Sequence, residues 1–182
     1  MSRLHGAPQD SVTYAFIALG SNLGDSQRNI YLAAHDLEEH SEGPMLASSL
    51  WETTPVDCPP DSPIFVNAVV RILPRPGETP ESLLVKLQQL ERRYGRGTKQ
   101  ILNEARPLDL DLILFGGEVL ANGNLTLPHP RATSRRFVLE PLNEIAPGLV
   151  FPGEMRTVAE LLADLPPDPA MRKLDRIQTS RA

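Results

Sequence analysis

The amino-acid sequence predicts an α+β fold: a ferredoxin-like α/β sandwich, with a mainly antiparallel sheet and helices packed on it. Three observations carry the prediction. Apolar strand-like runs and amphipathic helical stripes alternate in the order β-α-β-β-α-β, which is that of the split βαβ unit. Right-handed crossovers through that order make the sheet antiparallel. The 182 residues contain no internal repeat and no dividing linker, so they build one core.

Val12–Leu19 (VTYAFIAL) reads as the first strand, ending in GSNLGD, where Gly20 and Gly24 allow a tight turn and Asp25 can cap a helix. Ile30, Ala33, Ala34 and Leu37 then form an i, i+3, i+4, i+7 stripe, predicting a helix over 26–40. Met45–Glu52 is expected as a strand before the Pro-rich loop TTPVDCPPDSP, and Phe65–Leu73 (FVNAVVRIL) as another. Thr79–Pro80 has the cap-then-proline signature of a helix start, and Leu83, Leu87, Leu90 and Tyr94 carry that helix to Gly95. Leu108–Phe115 reads as a core strand and FGGEVLANGNLTL as a hairpin. Ser134–Ile145 and Val158–Leu165 are expected as helices. We assign residues 1–11 to a flexible tail, 12–165 to one domain, and 166–182 to a weakly ordered C-terminal tail.

Net charge is −5, which argues against bulk attraction to nucleic acid or to an anionic membrane. No apolar run approaches the length of a membrane span, and the opening MSRLHGAPQDS lacks the apolar middle of a signal peptide. Cys58 is the single cysteine, so no disulfide forms within the chain, which favours the cytoplasm. Positive charge is concentrated. Arg92, Arg93, Arg96, Lys99 and Arg106 face only Glu104 in their stretch, and Arg131, Arg135 and Arg136 form a second group. Two basic clusters on an acidic chain point to a small polyanionic ligand or to two solvated faces.

Asp109 and Asp111 interrupt the strand RPLDLDLILF. Side chains two apart on a strand share a face, so both carboxylates project together, with Ile113 and Phe115 beyond them; Leu108, Leu110, Leu112 and Leu114 take the other face. Two carboxylates on one face repel unless a cation lies between them. Magnesium fits, since it accepts one or two carboxylates and completes its shell with water and phosphate oxygens. An exposed strand end paired with Arg106 is the plainer alternative. Phosphoryl transfer needs both charges, metal for the bridging oxygens and guanidinium forks for the rest. Neither a P-loop nor a G-x-G-x-x-G motif occurs. Asn67, the polar residue inside FVNAVV, can read the donor–acceptor edge of a heterocycle or satisfy a backbone group. Phe65, on the same face, makes ring stacking available beside it.

In order, ALGSNLGD, TTP followed by FVNAVV, LQQLERRYGR, RPLDLDLILFGG and LTLPHPRATSRRFVLEPLNEIAP resemble the hydroxymethyl-dihydropterin pyrophosphokinase family of folate biosynthesis, over roughly residues 14–152. The resemblance implies magnesium-dependent transfer of pyrophosphate from ATP to a reduced pterin, on this same ferredoxin-like core. It places two magnesium ions on Asp109 and Asp111, with Arg96 and Arg106 as catalytic arginines. Gln88, Glu91, Arg96, Arg106, Leu112, Thr126, His129 and Arg135 would contact ATP. Gly20, Thr53, Thr54, Pro55, Val56, Phe65, Asn67 and Phe137 would form the pterin pocket. ATP and the pterin are the expected partners, with no nucleic acid or membrane, for a monomer in the cytoplasm.

The chain departs from the family pattern at Ala105 and Pro107 around Arg106, at Thr98 and Asn103 in the basic loop, and at Asp57 in the pterin loop. A paralogue that binds pterin or nucleotide without catalysis is therefore an alternative. A nucleotide-sugar transferase with a D-x-D site is another, although it leaves Asn67 and LPHPR without a task.

Overall fold

The computed structural model describes residues 12–56, 58, 61–95 and 105–179. Its first strand, β1 (Ala15–Ser21), runs into a turn closed by Asp25, whose carboxylate accepts from the Arg28 N–H and starts α1 (Ser26–Glu38). Ile30, Ala33, Ala34 and Leu37 are that helix's buried face, as their spacing predicts. The chain continues through β2 (Leu46–Ala47), β3 (Ser49–Thr53) and β4 (Phe65–Ile72). Helix α2 (Pro80–Arg93) opens with a reciprocal cap between Thr79 and Ser82, and Pro80 sits where no N–H is needed. Then come β5 (Asp109–Phe115), the hairpin β6 (Leu120–Asn122) and β7 (Leu125–Leu127), α3 (Arg136–Ile145), α4 (Val158–Asp164) and β8 (Arg172–Arg176).

The main sheet has the order β5-β1-β4-β3-β8, with β2 also on β4, and every pairing is antiparallel. Both faces carry helices. On one, Ala15, Ile17, Leu19, Leu108, Leu110 and Leu112 join the apolar stripes of α1 and α2. On the other, Phe16, Val69, Ile113 and Leu114 pack with Val138, Leu139 and Leu142 of α3 and with α4. Pro141 lies inside α3, where it cannot donate to the carbonyl four residues back.

Four details differ from the sequence reading. The expected strand over 45–52 is split at Ser48. Its hydroxyl accepts from the Val69 N–H at 3.0 Å, a bond that side-chain chemistry supplies and apolar periodicity does not reveal. The expected helix over 134–145 is a 3-10 turn (Ala132–Ser134) followed by α3, with Arg135 extended between them. In β5 the simple alternation stops at Leu112. Ile17 faces Leu112 and Phe16 faces Leu114, so Ile113 is an extra residue, a bulge. Leu114 therefore joins Ile113 on the α3 face and Phe115 crosses to the α1–α2 face, the reverse of the expected arrangement. The fourth correction is the C-terminal tail: 172–176 is an edge strand on β3. RKLDR has too little apolar pattern to announce a strand. Its order comes from backbone pairing, from ion pairs of Arg172 with Glu52 and Lys173 with Glu144, and from burial of Ile177.

Candidate active site

Three adjacent strands bring the predicted residues into rows. Gly20 on β1 is opposite Asn67 on β4 and opposite Asp109 on β5; one step along, Ala18 lies between Val69 and Asp111. Small residues in the central strand with larger ones on either side make a trough. A Cβ at Gly20 would sit 3.2 Å from Asn67 Oδ1 and 3.9 Å from both the Asp109 Cβ and the Phe65 ring. Glycine thus keeps the trough open by lacking a side chain, not by an unusual backbone conformation. The trough is the floor of a solvent-open cleft.

One end of the cleft combines a fixed amide with two aromatic walls. The Asn67 amide donates to Thr53 Oγ1 at 2.7 Å, and the side chain is almost fully buried, so its orientation is fixed. Phe65 and Phe137 supply ring walls, from β4 and from the start of α3. Each carries an arginine: Arg106 lies 5.7 Å from the centroid of Phe65 and Arg135 lies 5.3 Å from that of Phe137. Thr54, Val56 and Cys58 line the rim.

The other end is charged. Arg106 Nη2 is 2.7 Å from Asp109 Oδ2, each side chain being only 18% exposed. Asp111 keeps 42% of its side-chain surface open, and His129 Nε2 is 4.0 Å from its Oδ2. Burial within the cleft walls, then repulsion from Asp109, raises the Asp111 pKa above the ordinary carboxylate value, against the pull of His129, Arg135 and Arg106. Burial likewise lowers the His129 pKa, with Asp111 opposing. Both shifts run toward the neutral forms, with desolvation the largest cause of each and the mutual attraction opposing it. His129 Nδ1 accepts from the Arg131 N–H at 3.2 Å, which leaves the neutral ring's proton on Nε2, the nitrogen nearer Asp111. The ring is brought there by a bond from the His129 N–H to the Ile113 carbonyl, on the bulge of β5.

Among the described residues no group of three or more His, Cys, Asp or Glu side chains is arranged to hold a metal ion. The two carboxylates nevertheless fit magnesium. They project from one face of β5 into the cleft, burial and then repulsion from Asp109 disfavour the Asp111 anion, and the remaining ligands of magnesium are ordinarily water and substrate phosphate.

Gly20, Thr53, Thr54, Val56, Phe65, Asn67, Arg106, Asp109, Asp111, Arg135 and Phe137, all expected from the sequence, line the one cleft. Pro55 adjoins it without lining it. Thr126 is exposed on β7 and Gln88 on α2. Glu91 is buried, accepting from the Leu110 N–H at 2.8 Å, and Leu112 places its side chain in the core on the opposite face. Arg96, Thr98, Asn103 and Asp57 lie outside the described residues. Ala18, Leu19, Cys58 and Val138 also line the cleft and were not assigned to the site from the sequence. The available signal was adjacency, since each stands within two residues of one that was.

A family model described as 7,8-dihydro-6-hydroxymethylpterin-pyrophosphokinase (HPPK) matches residues 16–147. The 2-amino-4-hydroxy-6-hydroxymethyldihydropteridine pyrophosphokinase of Haemophilus influenzae is 38% identical over 149 residues, covering 81% of this chain and 90% of that protein. The protein of the same name from Pseudomonas aeruginosa is 38% identical over 152 residues, with 83% and 91% covered. A crystal structure of an HPPK-DHPS in complex with substrates superposes with a TM-score of 0.64 at 13% identity, covering 83% of this chain. Wild-type HPPK-DHPS of Plasmodium falciparum with pteroate gives 0.65 at 15% identity, covering 85% of this chain. The chain spans less than half the length of those two solved chains, 43% and 44%, and at such identities the likeness concerns the fold.

Proposed function

Because the chain belongs to the 7,8-dihydro-6-hydroxymethylpterin-pyrophosphokinase family, we propose that its cleft is the pyrophosphoryl-transfer site, with the pterin at the Asn67 end and the triphosphate of ATP at the aspartate end. The protein is a dihydropteridine pyrophosphokinase of folate biosynthesis that uses ATP. The observation that carries the assignment of its site is the row Asn67–Gly20–Asp109. It aligns a heterocycle-reading amide with a charge-handling carboxylate across one glycine.

In this reading Asn67, oriented by Thr53, pairs with the polar edge of the pterin, and Phe65 and Phe137 stack on its faces. Thr54, Pro55 and Val56 close the pocket rim. Arg106 and Arg135 hold phosphate oxygens, with His129 donating from Nε2 and Arg96 assisting from the basic loop. Gln88, Thr126 and Glu91 meet ATP along the outer side of β5, and Leu112 does so through its main chain. Asp109 and Asp111 would hold two magnesium ions, which would neutralise the phosphate oxygens.

The pterin hydroxymethyl oxygen forms a bond to the β-phosphorus of ATP and releases its proton to solvent; the bond from that phosphorus to the α-bridging oxygen breaks, and AMP leaves. The protein contributes alignment of the two ends and fixed charge around the transferred group. The enzyme would act as a cytoplasmic monomer; no helix among the described residues is long and apolar enough to cross a membrane.

The test is AMP release by the purified protein with ATP, magnesium and 6-hydroxymethyl-7,8-dihydropterin. Release should require all three and fall by orders of magnitude in Asp109→Ala and Asp111→Ala, with circular dichroism unchanged. Undiminished turnover in either variant would remove the aspartates from the site, and AMP release independent of the pterin would remove the pterin assignment.

A further inference from the structure

The turn GSNLGD after β1 contributes more than the backbone of Gly20. Asn22 is 2% exposed and carries no charge, yet it bonds in three directions. Its Oδ1 accepts from the Arg106 N–H at 2.9 Å, while its own N–H donates to the Arg106 carbonyl at 3.1 Å. Its Nδ2 donates to the Pro63 carbonyl at 3.4 Å, in the stretch that leads into Phe65. Asn29, in the first turns of α1, donates through Nδ2 to the Pro107 carbonyl at 3.1 Å and to the Leu23 carbonyl at 3.1 Å. Two asparagines therefore grip consecutive residues, Arg106 and Pro107, at the point where the chain enters the aspartate strand.

That grip has a target worth holding. The Arg106 guanidinium reaches Asp109 and the face of Phe65, and its buried Nε has no hydrogen-bond partner among the described residues. A long side chain with a spare donor is useful to a phosphate only if its backbone stays where it is. An arginine in a loop loses much of its binding gain to the entropy of being ordered. We infer that Asn22 and Asn29 are positioning residues for the transfer reaction. They lock the Arg106–Pro107 backbone to the β1–α1 turn, so that the guanidinium, Asp109 and the Phe65 wall keep a fixed spacing. Asn22 suits its place because one amide offers an acceptor and a donor on separate, diverging atoms; serine offers both only from a single, shorter-reaching oxygen, and alanine offers neither. The inference rests on the reading of Arg106 as a phosphate contact.

A double-mutant cycle tests it, using the full chain with Asn22→Ala and Asn29→Ala, each alone and combined with Arg106→Ala. Steady-state kinetics would be measured together with the dissociation constant of a magnesium-bound, non-hydrolysable ATP analogue. In the otherwise unchanged enzyme, Asn22→Ala should lower kcat/KM for ATP about tenfold or more and weaken the analogue comparably. Asn29→Ala should do so about fivefold. In the Arg106→Ala background both losses should shrink to about twofold, because groups acting through one side chain are not additive. Equal losses in both backgrounds would make the asparagines merely structural and overturn the inference while leaving the site reading intact. Undiminished activity of Arg106→Ala alone would overturn that reading and the inference with it. Should Asn22→Ala fail to fold, Asn29→Ala, at a half-exposed position, carries the cycle by itself.

Discussion

Asp111 is held in the folded protein at a cost to its ionised form. Its pKa is raised, so the folded state binds the proton more tightly than the unfolded chain does. The sign follows from linkage: its contribution favours the native state at low pH and is lost as pH rises through the folded value. Asp111→Asn should therefore raise the thermal midpoint of the ligand-free protein near pH 7. The gain should vanish below about pH 4, where both side chains are neutral. Scanning calorimetry at the two pH values decides it; a lower midpoint near neutrality would contradict the burial argument. For Phe137→Ala, stacking of a planar ring on an aromatic is worth about 1–3 kcal/mol, so pterin affinity should fall about tenfold or more, with kcat less affected. Titration of the pterin gives the answer, and an unaltered dissociation constant would remove the ring from the site. Several of these residues were legible one by one: two aspartates at strand spacing, an amide inside an apolar run, an arginine just ahead. Their alignment was not. Asn67, Gly20 and Asp109 are far apart in the chain, and strand register is a long-range property that no local pattern contains.

Among the elements, β5 shows how an edge strand carrying charge is kept in place. Its Leu110 N–H is not used by β1 and ends on the buried Glu91 of α2, at 2.8 Å. Glu91 thus holds the aspartate strand, whatever else it contacts. Removing the acceptor in Glu91→Ala leaves a buried donor unsatisfied, which costs about 1–3 kcal/mol, whereas Glu91→Gln keeps an oxygen there. Urea unfolding should show the alanine variant clearly less stable than the glutamine one; equal midpoints would dismiss the strand-holding role. Helices α1 and α2 were readable because their caps and stripes are local, and both structures follow the sequence closely. The break at Ser48 and the bulge at Ile113 were not. Each depends on what one backbone group finds across the sheet, and an uninterrupted apolar run looks the same with or without it.

At the scale of the molecule, the sheet separates two duties. Its α1–α2 face is packed throughout, while its α3 face is packed over part of its length and left open as the cleft over the rest. The fold class was legible because element order and periodicity determine it. The closing strand β8 was not, since charged residues paired by backbone leave no apolar trace. Its anchor is testable: Ile177, 4% exposed, should cost about 2–5 kcal/mol on truncation in Ile177→Ala, read from the urea midpoint. An unchanged midpoint would return residues beyond 165 to the status of a loose tail. The bulge in β5 bears on this division of faces. Beyond Asp109 and Asp111, an ideal pleat would turn only every second residue toward α3. The extra residue puts Ile113 and Leu114 there in succession, side by side, against the α3–α4 core. The strand thereby acquires a gasket: water that fills the cleft around the carboxylates meets two adjacent aliphatic side chains at the next step and goes no further. A wet cleft and a dry interior can then share one seven-residue strand without either flooding the other.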